Sequence, residues 1–483
     1  MMSRWIVLLW GITLSLILLL IIPENDFVFR SISITLIATI SIVYYLYKRY
    51  SGKLSLQTDL LIAINTLAQF LLPVFYLAFY YYENPHLDYY DFHYGYAITS
   101  FAVLVAQTMF FAGYETIKKN SYFPTIQIIE ESYSKLFLVL LPLLILVWTS
   151  RIILLTTGSY YHIYRTEYQF INPLYSVFAQ LSGYGLIIVG ALFLIAFSEQ
   201  RKRERNKKVV VAIIVFIIEM LWYLPAGTRE PIAMTCSIAL LAYIFIKRKL
   251  PKKAIVAFVL ILFPLFTILF EYRYTVRIYQ DISSINIEGL KPALLSAGDK
   301  LQKKDTNTLA FSVDRIYDGK NLGYLLTHYS QDYDYELGAT YKNIIYVLIP
   351  RFIYPDKPIY TTPLGKWYQL TGKYSSTPTT FWGETYINFS WLGIIVISYI
   401  LGLIMKVYDY IFIKRSSEPY WMYLYLFSAI YIMIRLPMEV GSIWISFLIK
   451  IIILAFIFTG MHSVLTKVFG KSIRFVTVPE KNI

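Results

Sequence analysis

The sequence predicts an all-α polytopic membrane protein, on three observations. Of its 483 residues 57% are hydrophobic and 15% are charged, and the mean hydropathy is +0.54. A soluble chain of this length needs far more polar surface than that. Apolar runs long enough to cross a bilayer as helices recur along the whole length. The short connectors between those runs also alternate in charge, as the loops on the two faces of a membrane do.

About twelve spans can be read, near 5–22, 27–47, 59–82, 95–113, 135–156, 172–197, 208–225, 231–247, 253–271, 386–410, 420–436 and 442–464. The opening run "MMSRWIVLLWGITLSLILLLIIPEND" is too long for a signal peptide. No small-x-small cleavage site precedes Pro23, so the run reads as an uncleaved first span. The basic connectors "KRYSGK" (48–53), "EQRKRERNKK" (199–208) and "KRKLPKK" (247–253) belong to the cytoplasmic face. The segments "PEND", "YYENPHLDYYDFHYG" and "LPAGTREP" then fall on the opposite face, and both termini are cytoplasmic. The formal net charge of +14 faces the anionic inner leaflet for the most part, which makes it a topology signal rather than a nucleic-acid footprint. Cys236 is the single cysteine, so no intramolecular disulfide can form.

These spans divide the chain into a bundle of about nine helices (1–271), a large outward-facing loop (272–384), helices ten to twelve (385–464) and a cytoplasmic tail (465–483). The loop carries 13 Lys/Arg against 11 Asp/Glu and far exceeds an ordinary connection, which marks it as functional or disordered. The stretch "YKNIIYVLIPRFIY" and many tyrosines give it enough apolar surface to fold, so short amphipathic helices lying at the outer interface are expected. Many of the 45 tyrosines and 9 tryptophans gather near predicted outer ends, as "SYYHIYRTEY" and "YSQDYDYELGATY" show. They form an interface belt or platforms for sugar rings.

Four stretches could carry chemistry. In "WYLPAGTREP" (222–231), Pro225 and Gly227 end one span and Pro231 suits the start of the next. Arg229 then stands at a helix N-terminus, a place that favours a phosphate; the bland alternative is a snorkelling arginine paired with Glu230. In "FEYRYTVRIY", Arg273 and Arg277 share one helix face, where an anion bridging them would relieve their repulsion. That anion could equally be a lipid headgroup. In "IPRFIYPDKP", Pro350, Pro355 and Pro358 stiffen the backbone that holds Arg351 and Lys357. In "TPTTFWGETYINFSWLG", Glu384 meets the outer start of the tenth span, as a general base or as an ordinary N-terminal helix charge.

Weaker signals accompany these. His328 is the loop's single histidine, a second choice of base or a surface residue. Glu219 lies inside the seventh span and should face inward, paired or hydrogen-bonded. Arg435 and Glu439 stand at a pairing distance along a helix. Asp332 and Asp334 form an Asp-x-Asp, a weak metal signal. No Walker motif, zinc-ligand spacing or G-x-S-x-G occurs.

The stretches "GTRE" (227–230), "IPRFIYPDKP" (349–358) and "GETYINFSWLG" (383–393) resemble the Wzy-type O-antigen polymerases, which join oligosaccharide repeat units. One departure is Ser390, where an "NFG"-like turn would place glycine. The resemblance implies a GT-C-like architecture in the bacterial cytoplasmic (inner) membrane, working on its outer face. It implies transfer of a growing chain from undecaprenyl diphosphate to a sugar hydroxyl of a new lipid-linked repeat, with no metal and no other cofactor. Glu384 or His328 would take the hydroxyl proton. Arg229, Arg273, Arg277 and Arg351, with Lys357, would hold the diphosphate as negative charge builds on it. The implied partners are the lipid-linked oligosaccharides, membrane lipids and a chain-length regulator protein; nucleic acid is not among them. A lipid-linked oligosaccharide flippase, an O-antigen ligase and a polyprenyl-phosphate-sugar glycosyltransferase stay open beside this reading.

Overall fold

The structure is a computed structural model and describes residues 2–50, 57–84, 92–117, 130–157, 173–223, 229–247, 313–314, 317–342 and 379–414, with the single residues 251, 295, 354 and 425. Every regular element among these residues is helical. Five helices are long and apolar enough to cross a membrane: Arg4–Ile21, Glu24–Tyr50, Thr58–Glu83, His93–Thr116 and Phe381–Ile411. Shorter apolar helices cover Pro142–Thr156, Gly185–Ser198 and Pro231–Ile244. The ninth, eleventh and twelfth spans expected from the sequence lie outside the described residues, apart from Tyr425.

The chain forms two compact units. The first comprises residues 1–121, 306–411 and 431–449; the second comprises 122–305, 412–430 and 450–483.

In the first unit, α1 (Met2–Ile21) and α2 (Phe27–Tyr50) form an antiparallel pair. The next span is α3 (Thr58–Thr66) and α4 (Leu72–Glu83), joined without a break by one π-helical turn at Leu67–Leu71. A wider turn of this kind leaves backbone carbonyls to bond elsewhere, and such turns are frequent at functional places. Here the Gln69 carbonyl accepts the Asp318 N–H at 3.1 Å.

Helix α5 (Tyr96–Thr116) crosses the tenth predicted span at two glycines. A Cβ on Gly113 would lie 2.0 Å from the Tyr399 carbonyl oxygen, and one on Gly402 2.1 Å from that of Phe110. Only bare backbone permits that approach, which is how helices associate tightly where lipid removes the hydrophobic drive.

The described residues α6 (Glu130–Thr156), α7 (Pro173–Ser182), α8 (Gly185–Ser198), α9 (Lys202–Tyr223) and α10 (Arg229–Lys247) belong to the second unit. Helix α8 is apolar on every side and buried almost throughout; α6, α9 and α10 pack around it. The sixth span was expected to run unbroken over 172–197, yet it stops at Ser182 and restarts at Gly185. Gly183 and Gly185 flank the break at Tyr184, and two glycines weaken helical continuity without lowering hydropathy.

The long loop also differs from expectation. Helix α11 (Gly319–Asp332) does not simply lie at an interface, because Leu322, Leu325, Leu326 and Tyr329 are buried. Its backbone at Gly323 touches that of Gly95, which caps α5, and the Thr99 hydroxyl of α5 donates to the Gly319 carbonyl at 3.1 Å. Just before it, Tyr317 is buried among Val74, Leu77, Ala78 and Tyr96. The loop is therefore keyed into the bundle, not laid upon it. A short turn, α12 (Ala339–Lys342), follows, and α13 (Phe381–Lys414), as far as Ile411, closes the described part of the unit.

Helix α13 begins five residues ahead of the expected span, at Phe381, and kinks at Phe389 and Ser390. Ser390 has φ 58° and ψ −153°, backbone that belongs almost entirely to glycine. This accounts for the glycine that the resemblance leads one to expect there. Serine fills a glycine position, with its side chain near the Tyr335 phenol.

Candidate active site

Glu384 stands in the first turn of α13 and is fully buried. The sequence "TPTT" before the helix supplies its start. Thr380 takes a positive φ of 69°, its hydroxyl accepts the Gly383 N–H at 3.1 Å, and its carbonyl accepts the Glu384 N–H at 2.9 Å. The Leu325 side chain of α11 packs where Gly383 has no Cβ, so the loop helix sits directly against this turn.

The loop then folds over Glu384. The Thr340 hydroxyl donates to Glu384 Oε1 at 2.8 Å, and Asn388 Nδ2 donates to Thr340 Oγ1 at 2.7 Å. Asn388 Nδ2 also donates to the Glu384 carbonyl at 2.8 Å, while its Oδ1 accepts the Gly338 N–H at 3.0 Å. Two backbone bonds complete the clasp, from Glu336 N–H to the Ile387 carbonyl and from Leu337 N–H to the Asn388 carbonyl, both 3.0 Å. Leu337 and Gly338 both have positive φ, which makes the turn tight enough to bring Thr340 over the carboxylate. Burial first, and then the Glu384 carboxylate beside it, push the Tyr341 phenol above its ordinary range.

Neither Thr340 nor Asn388 was singled out in the sequence. Asn388 lies four residues after Glu384, the spacing that puts two side chains on one helix face, so it could have been found. Thr340 lies 44 residues away and carries no local signal.

His328 makes its hydrogen bonds within α11, from Nδ1 to the Thr327 hydroxyl at 2.7 Å and to the Tyr324 carbonyl at 3.1 Å, and its ring stacks on Tyr324. Nothing in that arrangement joins it to Glu384. Asp332 ends α11, and the Asp334 carbonyl accepts the Tyr329 phenol at 3.2 Å.

Arg229 opens α10 in the second unit, at a helix N-terminus as expected. Arg273, Arg277, Arg351 and Lys357 lie outside the described residues, as do Arg435 and Glu439. Glu219 is buried and paired as expected, and its partner is Arg151, which the sequence reading did not weigh. An arginine inside the fifth span is itself a functional signal and could have been noticed.

A helical membrane protein with a loop folded over a buried carboxylate could serve several chemistries, and the comparison with known families decides among them. A family model described as O-antigen polysaccharide polymerase Wzy matches residues 1–468. The chain belongs to that family. The match spans both units and nearly the whole chain, well beyond the three short stretches that suggested it. No curated protein and no solved structure matches the chain. As a member of the Wzy family it is a multi-pass membrane protein of the polysaccharide polymerase kind.

Proposed function

We propose that this Wzy-family chain polymerises lipid-linked oligosaccharide repeat units into a surface polysaccharide by glycosyl transfer. The family match over residues 1–468 carries this reading. Its finer parts come from the charge pattern of the connectors and from what the resemblance to the family implies. The carrier is undecaprenyl diphosphate, the protein has about twelve spans in a GT-C-like arrangement, and it lies in the bacterial inner membrane with both termini cytoplasmic. The reaction takes place on the outward face, where the long loop meets the bundle, and a chain-length regulator is a partner.

In the proposed step, an acceptor sugar hydroxyl attacks the anomeric carbon of the donor chain. The bond from that carbon to the diphosphate breaks, and the diphosphate leaves with the electron pair. The hydroxyl proton passes to the Glu384 carboxylate. Thr340 shows how such a hydroxyl can be held, since its own O–H lies 2.8 Å from Glu384 Oε1, within the range that proton transfer needs. The acceptor would displace Thr340, which the loop can permit because Thr340 belongs to a turn rather than to a span. Arg229, Arg273, Arg277, Arg351 and Lys357 would neutralise the leaving diphosphate, which is why the reading calls for no metal.

Purified protein in detergent, supplied with native lipid-linked repeats and a chelator but no nucleotide, should yield a ladder of products on a gel. A single added repeat on a lipid A acceptor would indicate a ligase. Movement of labelled lipid across liposomes with no ladder would indicate a flippase.

A further inference from the structure

Arg151 of α6 is fully buried, and its surroundings are built around a broken helix. Its Nη2 bonds Glu219 Oε1 of α9 at 2.5 Å and the Ser182 carbonyl at 3.0 Å. Ser182 is the last residue of α7, so this carbonyl stands at the negative end of that helix. Gly185 begins α8 on the other side of the break, and a Cβ there would lie 2.3 Å from both Glu219 carboxylate oxygens and 2.5 Å from Arg151 Nη2. The carboxylate thus sits at the positive end of α8. Both charges are matched by helix ends that exist only because the sixth span is interrupted.

The guanidinium lies over two indoles, with its centre 5.1 Å from the Trp148 ring and 4.7 Å from the Trp222 ring. Those faces stabilise a cation that water cannot reach. Yet Arg151 Nε and Nη1 meet no hydrogen-bond acceptor. A buried, ionised donor with no acceptor is costly, and here two nitrogens of one guanidinium are left so. The pair lies near the ends of α6 and α9 marked by Thr156 and Tyr223, and α10 with Arg229 begins six residues after Tyr223.

We propose that Arg151 is an anion-binding residue, its unmatched guanidinium N–H groups receiving the phosphate of a lipid at the break between α7 and α8. Glu219 and the two indoles hold the guanidinium in place while the phosphate is absent. The phosphate belongs to a polyprenyl carrier or to a bilayer phospholipid. The inference rests on the polymerase reading only for the carrier, since phosphate binding can be measured without any glycosyl transfer.

The test is binding of farnesyl phosphate to the purified full-length protein in neutral detergent. Farnesol serves as the uncharged control and short-chain phosphatidylglycerol as the phospholipid arm. Arg151→Met with Glu219→Gln replaces the pair by neutral groups of similar volume and leaves no unpaired charge. This double variant should lose about ten- to a hundredfold in affinity for farnesyl phosphate, the worth of one charge-assisted contact, with farnesol unaffected. Glu219→Gln alone keeps the cation and removes its competitor, so it should bind farnesyl phosphate several-fold more tightly. A structural pair predicts unchanged or weaker binding for Glu219→Gln, and that result overturns the proposal even if the double variant fails to fold. Equal affinity in the wild type and a folded double variant overturns it as well. Competition by phosphatidylglycerol at equal concentration assigns the site to bilayer lipid; failure to compete assigns it to the carrier. A missing polymer ladder would count against the polymerase reading and leave these titrations intact.

Discussion

The two ends of the first unit both bury carboxylates, and they treat them differently. At one end Arg4, Arg49 and Lys406 gather with Asp59, Glu115 and Asp409. Arg49 pairs with Glu115 and, at 2.7 Å, with Asp59, while Arg4 reaches Glu115 at 2.8 Å. Asp409 accepts the Thr58 N–H at 3.0 Å, the Thr58 hydroxyl at 2.9 Å and the Tyr114 phenol, and Lys406 lies 4.7 Å over the Tyr114 ring. Five helices, α1, α2, α3, α5 and α13, are bolted together by these contacts. At the other end the loop helix docks, and the Thr340 hydroxyl of the loop is among the partners of Glu384. At the first end the groups that hold the carboxylates all belong to packed spans, so the contacts fasten helix to helix. The Thr340 hydroxyl on Glu384 belongs instead to a turn of the loop and can exchange for another hydroxyl. The difference separates an end that fastens the fold from an end suited to chemistry.

The largest expected effect lies at the loop end. Glu384→Gln should lower the polymerisation rate by about 10²–10⁴-fold, the usual worth of a general base. Thr340→Val should change it by less than about tenfold, because the acceptor takes over that hydrogen bond. Comparable losses in the two variants would mean that Glu384 is simply a structural partner of Thr340. At the other end, Arg49→Met leaves Asp59 and Glu115 buried beside a lost cation and should cost about 3–5 kcal/mol of stability. Thermal unfolding in detergent would show this as a lower midpoint, with activity per folded molecule retained.

Asp318 sharpens the contrast at the loop end. Burial pushes its carboxyl up to about 7, against a partial opposing effect of Lys320. A carboxyl raised above its unfolded value near 3.9 stabilises the fold while protonated, and that contribution fades as pH rises through about 7. Stability of the wild type should therefore fall between pH 5 and 8, by about 1–2 kcal/mol after allowance for partial solvation. Asp318→Asn should flatten the profile, and an unchanged slope would remove Asp318 from the account. The smallest effect belongs to Ser390→Gly. Relief of about 1–3 kcal/mol of backbone strain, less the loss of the serine side chain's contacts, should raise the unfolding midpoint slightly. A lowered midpoint would show that the serine side chain's contacts outweigh the strain.

The spans were legible because hydropathy reports on each stretch of chain by itself. The described helices α1, α2, α5, α9 and α10 fall where the apolar runs do. The break at Tyr184 and the π turn at Leu67–Leu71 were not, since neither alters hydropathy and both depend on what the backbone bonds elsewhere. Glu384 was legible from its place at a span's edge and Glu219 from the cost of charge inside one. Their partners Thr340 and Arg151 come from sequence positions 44 and 68 residues away and needed the fold. Ser390 was visible as a departure from a glycine pattern before its positive φ explained the pattern.

The most direct test of the division between the two ends is one ladder assay at matched concentrations of folded protein. It compares wild type, Glu384→Gln and Arg49→Met on the same lipid-linked repeats. The account predicts full-length ladders from wild type and Arg49→Met and almost none from Glu384→Gln. A ladder from Glu384→Gln equal to that of the wild type would contradict it.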